Sequence, residues 1–157
     1  MAYTIGQAAK KTGLTISTIR YYDKEGLLPF VKRTESGIRQ FDENDIEWLL
    51  LICCLKNSNM PLEQIKIFIN WCMEGDATLK QRLDMFVVHK MAVRKNLEQL
   101  YTCLDTIDYK IWYYATSYKA GTELAHQNHH WGRYSEEFFL AKEDGTLDKL
   151  VKEYHAD

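Results

Sequence analysis

Apolar positions in the first 75 residues come in short bursts, each closed by a turn residue, and the pattern predicts four helices and a hairpin. Thr4 followed by Gln7 is a capping box, in which each side chain satisfies an orphan backbone donor of the first turn. It predicts a helix over Gly6 to Lys11 that Gly13 stops. After Thr12-Gly13-Leu14, Thr15 caps a second helix running to Glu25, and Gly26 supplies the left-handed residue that ends it. Two short helices around a three-residue, glycine-containing turn make a helix-turn-helix pattern. Ile5, Ala8, Ala9, Leu14 and Ile19 form its shared core, which leaves Thr15, Ser17, Thr18, Arg20 and Tyr21 or Tyr22 to face outward. Leu27 to Arg33 and Ile38 to Phe41 read as two strand-like pieces around the polar turn Thr34-Glu35-Ser36-Gly37, a hairpin whose arms carry Lys32, Arg33 and Arg39. Asp42 caps a third helix through about Lys56, and Pro61 takes the first helical position of a fourth, closed by Gly75. The run Trp48 to Leu55 is apolar on every face, so one neighbour cannot bury it all and a second subunit is expected against this helix.

From Asp76 the period changes. Leu79, Leu83, Phe86, Lys90, Val93, Leu97, Leu100, Leu104, Ile107, Ile111, Tyr114 and Tyr118 alternate at spacings of four and three, an a/d seam with one polar interruption at Lys90. At about 1.5 Å per residue the helix is on the order of 60 Å long. No second helix of comparable length is evident to cover it within the chain, so a copy of the chain is the expected partner. Beyond Lys119 the seam is lost. Thr146 to Tyr154 forms a short amphipathic pattern with Leu147, Leu150, Val151 and Tyr154 on one face. The expected organisation is a winged helix-turn-helix over residues 1–75, a coiled-coil dimerisation helix over 76–118 and a C-terminal appendage over 119–157. The fold class is mainly α.

Composition narrows the functional class. The formal charge of −2 averages two unlike parts: residues 1–41 carry seven Lys/Arg against three acids, and the remainder carries thirteen against nineteen. A basic head on an acidic body suits a DNA-binding domain with a separate assembly or sensing region. The longest apolar run, Trp48 to Leu55, is far short of the roughly 20 residues a membrane helix needs. The N-terminal residues carry no apolar signal segment, and Cys53, Cys54, Cys72 and Cys103 lack disulfide-framework spacing, so a reducing, cytoplasmic setting is expected. No nucleophile, base and orienting group come together in a recognisable motif, so the chain does not read as an enzyme, and no cofactor is implied.

A recognition helix needs short polar or basic side chains at its N-terminal end, because that end enters the major groove. Thr15, Ser17 and Thr18 are short enough for close approach, and Arg20 can reach a phosphate or a guanine edge. Tyr21 and Tyr22 can offer a hydroxyl to phosphate, or one of them can serve the core. Lys32, Arg33 and Arg39 would flank the groove and add salt-dependent phosphate binding, with a solvated hairpin as the alternative. The strings Tyr3 to Ala9, Leu14-Thr15, Ile19 to Asp23, Gly26 to Leu28 and Ser36 to Phe41, Gly37 among them, closely resemble the MerR family of transcriptional regulators over residues 1 to about 75. The resemblance implies an antiparallel coiled-coil dimer through the helix ending near residue 118, with Leu83, Phe86, Val93, Leu97, Leu100, Leu104, Ile107 and Ile111 in its seam. It further implies a pseudo-palindromic double-stranded promoter operator with an overlong spacer, distorted so that RNA polymerase can use it.

Within that family, Val31 to Arg33, Glu35 to Arg39 and the helix bearing Cys54 look most like the branch responding to aldehydes and other thiol-reactive stress, where the equivalent of Cys54 is the reactive thiol. Its place in the most apolar run keeps an inert buried thiol open as the alternative. Two rival effectors remain. Metal could be held by His126, His129 and His130, although no cysteines stand where the family's metal sensors carry them. A drug-like ligand could stack on Trp131, Tyr134, Phe138 and Phe139, although those aromatics suit packing against the coil. An architectural DNA-bending protein would share the head and tolerate many sequences.

Overall fold

The computed structural model describes residues 2–126 and 134–154, and they form two compact units, residues 1–93 and 94–157. In the first unit, α1 (Ile5–Thr12) is opened by the Thr4–Gln7 capping box and closed by Gly13 at φ 70°. Thr15 caps α2 (Ile16–Lys24), its hydroxyl accepting from the Thr18 N–H at 3.0 Å. The hairpin is shorter than the sequence suggests: β1 (Lys32–Arg33) pairs antiparallel with β2 (Arg39–Gln40), and Arg33 stands opposite Arg39. The reason lies in Leu27 and Leu28, both buried. Successive residues of a strand face opposite sides, so two adjacent core leucines belong to a connection that dives under α2.

Asp42 and Asp45 form a second capping box at the start of α3 (Glu43–Asn57). Pro61 is not the first helical residue of α4 (Leu62–Glu74) but its N-cap: ψ of 141° holds it extended, while its carbonyl already accepts from Gln64 and Ile65. Between α3 and α4 the chain turns on Asn59, at φ 64°. The core gathers Ala8 from α1, Ile19 and Tyr22 from α2, Phe41 beside the wing, Ile46, Leu49, Ile52 and Leu55 from α3, and Ile65, Phe68 and Ile69 from α4. An aromatic file runs Phe30, Trp48, Phe68, Phe86 with centroid separations of 5.2, 5.9 and 5.1 Å.

The long helix, α5, spans Leu79–Ala120. Its first turns belong to the head: Phe86 meets Phe68 edge-on, His89 Nε2 lies 2.7 Å from the Ser58 hydroxyl, and the Arg82 guanidinium donates to the Gly75 carbonyl. This is why the division between units falls inside the helix rather than at residue 76. In the second unit, Tyr109, Trp112 and Ala115 of α5 share a core with Phe138 and Ala141 of α6 (Glu136–Glu143) and Leu147 and Leu150 of α7 (Thr146–Tyr154). The sequence pattern showed α7 but not α6. Lys142 joins α6 to Asp105 and Asp108 of α5, and Lys119 meets Glu153 at 2.9 Å.

Candidate nucleic-acid interface

The start of α2 presents its short side chains together. Thr15, Ser17 and Thr18 form a hydroxyl cluster, with 2.8 Å between the Thr15 and Thr18 oxygens, and Ser17 is exposed. One turn further on, Arg20 is exposed and, among the described residues, makes no hydrogen bond or ion pair. The two tyrosines part company. Tyr21 is exposed, whereas Tyr22 is a core residue against which α3 packs. Burial raises the Tyr22 phenol above its usual range. Of the two, Tyr21 is the exposed side chain.

The wing arginines are not free cations. Asp23, on the last turn of α2, receives the Arg33 guanidinium at 2.8 Å and Arg39 Nε at 3.0 Å on the same oxygen, Oδ2. Arg33 also reaches the Gly37 carbonyl across the wing turn, and Gly37 holds that turn at φ 80°. Lys32 remains exposed at the end of the hairpin. Sequence reasoning had no signal for the role of Asp23, which lies ten and sixteen residues from its two partners. Another basic residue is engaged as well: Lys11 pairs with Glu43 at 2.9 Å, which raises the lysine and lowers the carboxyl. Within residues 1–41, Lys10, Arg20, Lys24 and Lys32 are then the exposed cations with no ion pair among the described residues.

The seam residues do not share one environment. Leu83, Leu97, Leu100, Leu104 and Ile107 are each about half exposed or more, at 61, 49, 60, 51 and 53%. Val93 is half-buried. Phe86 and Ile111 are spent within the chain, on the head core and on the Tyr109–Phe138 cluster respectively. They share the a/d spacing of the series, and spacing does not say which neighbour a residue meets.

Cys54 is exposed on the last turn of α3, one turn after exposed Leu50, and Cys53 is half-buried with the Asn57 amide 3.5 Å from its sulfur. The alternative of a buried thiol at Cys54 does not hold: α3 buries the face bearing Ile46, Leu49, Ile52 and Leu55, and Cys54 lies off it. His126 is buried between Trp112 and Tyr113 with its Nε2 2.7 Å from the Thr116 hydroxyl. His129, His130 and Trp131 lie outside the described residues, and among the described residues no three metal-ligating side chains cluster. Tyr134 and Phe138 pack on Tyr109 of α5, while Phe139 is exposed. Among the described residues no helix is long and apolar enough to cross a membrane.

Comparison with known proteins agrees with this arrangement. The profile of the MerR HTH family of regulatory proteins matches residues 3–70, from the strand-like residue Tyr3 into α4. An uncharacterised HTH-type transcriptional regulator of Haemophilus influenzae is 41% identical over 125 residues, 80% of this chain and 93% of that protein. The HTH-type transcriptional regulator AdhR of Bacillus subtilis is 45% identical over 78 residues, 50% of this chain and 56% of its own length. HiNmlR, a MerR family regulator lacking the sensor domain and crystallised bound to promoter DNA, has a TM-score of 0.74 and 41% identity over 80% of this chain and 95% of its own. These relatives are named as regulators and not as enzymes. The chain belongs to the MerR HTH family of regulatory proteins.

Proposed function

We propose that the chain is a sequence-specific transcriptional regulator that binds a pseudo-palindromic promoter operator as a homodimer and distorts it, acting on RNA polymerase through the shape of the promoter. The observation that carries the reading is the combination of a capped α2, exposed Ser17, Arg20 and Tyr21, and a wing tied directly to that helix by Asp23. Residues 1–75 supply the DNA face, α5 the dimer seam, and 119–157 an effector or packing segment. Thr15 and Thr18 position the helix end, Ser17 and Arg20 meet the groove, and Tyr21 and Lys32 meet phosphates. Arg33, Arg39 and Gly37 shape the wing, and Tyr22 supports α2 from below.

The test is titration of a wild-type-selected duplex with Arg20→Ala. A dimer carries the substitution twice, so at about 1–3 kcal/mol for each base edge read the loss is about 2–6 kcal/mol, roughly thirtyfold or more in affinity. Unchanged affinity removes Arg20 from the interface.

As to the effector, the exposure of Cys54 favours thiol-reactive aldehydes, because an attacking thiol needs access. Purified transcription from the chain's own upstream region, compared for wild type and Cys54→Ser before and after an aldehyde, decides the point. A response confined to the wild type supports the sensing role, and equal responses make the thiol structural.

A further inference from the structure

We propose that Asp23 is a positioning residue for operator recognition, fixing the wing to the recognition helix and withholding two arginines from indiscriminate phosphate binding. The inference rests on the reading of α2 and the wing as the DNA face.

Arg33 and Arg39 are direct register partners in the hairpin, and like charges directly opposite each other on a strand pair repel. Nothing about a two-residue ladder would hold them together. Both instead converge on Asp23 Oδ2. The Asp23 side chain is only 14% exposed, against 47% for Arg33 and 25% for Arg39, so the carboxylate is the inner member of the triad. Its removal would leave two adjacent guanidinium groups with no counter-charge.

Two consequences follow for DNA. Arg20 and Asp23 lie one turn apart on α2, so the same helix that offers Arg20 to the groove holds the wing through Asp23. The distance between groove contact and wing contact is then fixed at the surface by one carboxylate, in addition to the buried connection through Leu27 and Leu28. A fixed separation rewards DNA whose shape matches it, which is how specificity arises at positions that no side chain touches. The second consequence is electrostatic. Arginines already paired with a carboxylate release fewer counterions on any duplex, so Asp23 lowers the sequence-independent part of the affinity, and only a duplex that fits the fixed geometry regains it.

The experiment uses full-length dimer and two duplexes, one enriched by the wild type from a random-sequence pool and a shuffled version of it, titrated over a range of salt. Asp23→Asn is close to isosteric and removes the charge. We expect binding to the shuffled duplex to tighten about tenfold and the log–log salt slope to steepen by about 1–2, since each phosphate contact is worth roughly 0.9. The selected-to-shuffled ratio should fall about tenfold or more. Asp23→Glu keeps the charge and moves it by one methylene. It should hold the shuffled affinity near wild type while recovering only part of the ratio. A purely structural carboxylate would weaken both duplexes alike and leave the salt slope unchanged, and that result overturns the proposal. So does an Asp23→Asn variant within twofold of wild type on all three readouts. If the wild type enriches no duplex at all, the DNA-face reading itself fails first and is recognised as such.

Discussion

Placing carboxylates at Leu97 and Leu104 of α5 should convert the protein to monomers without unfolding it. The two side chains are 49 and 51% exposed in a single chain. Full burial of a leucine is worth about 1.5–3 kcal/mol relative to full exposure, so about half of that remains to be gained at each position when a partner covers it. A symmetric dimer carries each substitution twice. Four side chains then represent about 3–6 kcal/mol, or roughly two to four orders of magnitude in the dissociation constant, before the cost of confining carboxylates in an apolar seam is added. Sedimentation equilibrium of wild type and the Leu97→Asp, Leu104→Asp double variant reads this directly, with far-ultraviolet circular dichroism as the control for folding. The reasoning is refuted if the double variant keeps the wild-type association constant. The copy would then meet another surface, and the exposed leucines would need a different explanation.

Phe86→Ala should behave differently, although Phe86 lies in the same a/d series. It packs on Phe68 within the chain, and being half-buried it should cost about 2 kcal/mol, half the usual loss for a core phenylalanine. The melting temperature should fall by several degrees, by the same amount at low and high protein concentration, and a concentration-dependent loss would return Phe86 to the dimer seam. Burial raises the Asp45 carboxyl above its usual value, against the opposing pull of the Asp42 amide hydrogen bond. A carboxyl raised on folding binds more protons folded than unfolded, so its contribution declines as pH rises from the unfolded value, about 3.9, through the folded one. Asp45→Asn should therefore gain on wild type in thermal stability between acid and neutral pH, and a pH-independent difference would show that Asp45 carries no such burden. Phe138→Ala, at the centre of the second core, should cost about 3–5 kcal/mol and dissolve the α6–α7 packing, seen as loss of near-ultraviolet dichroism. Head-domain binding to a selected duplex reports whether the appendage matters for DNA recognition.

Much of the head could be read along the chain because its helices declare themselves locally. Thr4, Thr15 and Asp42 are caps whose partners lie three residues away, and such contacts are visible in one dimension. What escaped notice was non-local. The Arg33–Asp23–Arg39 triad depends on the wing folding back on α2, which no periodicity encodes. The short hairpin follows from burial of Leu27 and Leu28 together, a tertiary fact. The exposure of Cys54 stayed open in the sequence because a composition window averages over all faces of a helix, whereas α3 buries only some of them. The α6 helix was hidden by its adjacent aromatics: Phe138 is buried and Phe139 exposed, so the pair reads as a cluster and not as a stripe.

The Ser58 turn bears on how the end of α3 can open. Ser58 donates its amide to the Cys54 carbonyl and its hydroxyl reaches the Leu55 carbonyl, while the same hydroxyl touches His89 of α5. A helix end normally frays alone, giving its last amides the fastest exchange with solvent in the element. Here the end of α3 is stitched to α5, so its amides should exchange together with those around His89, as one cooperative unit. The turn that carries Cys54 therefore combines an exposed thiol with a backbone tied to a neighbouring helix, so access there does not require the helix end to fray.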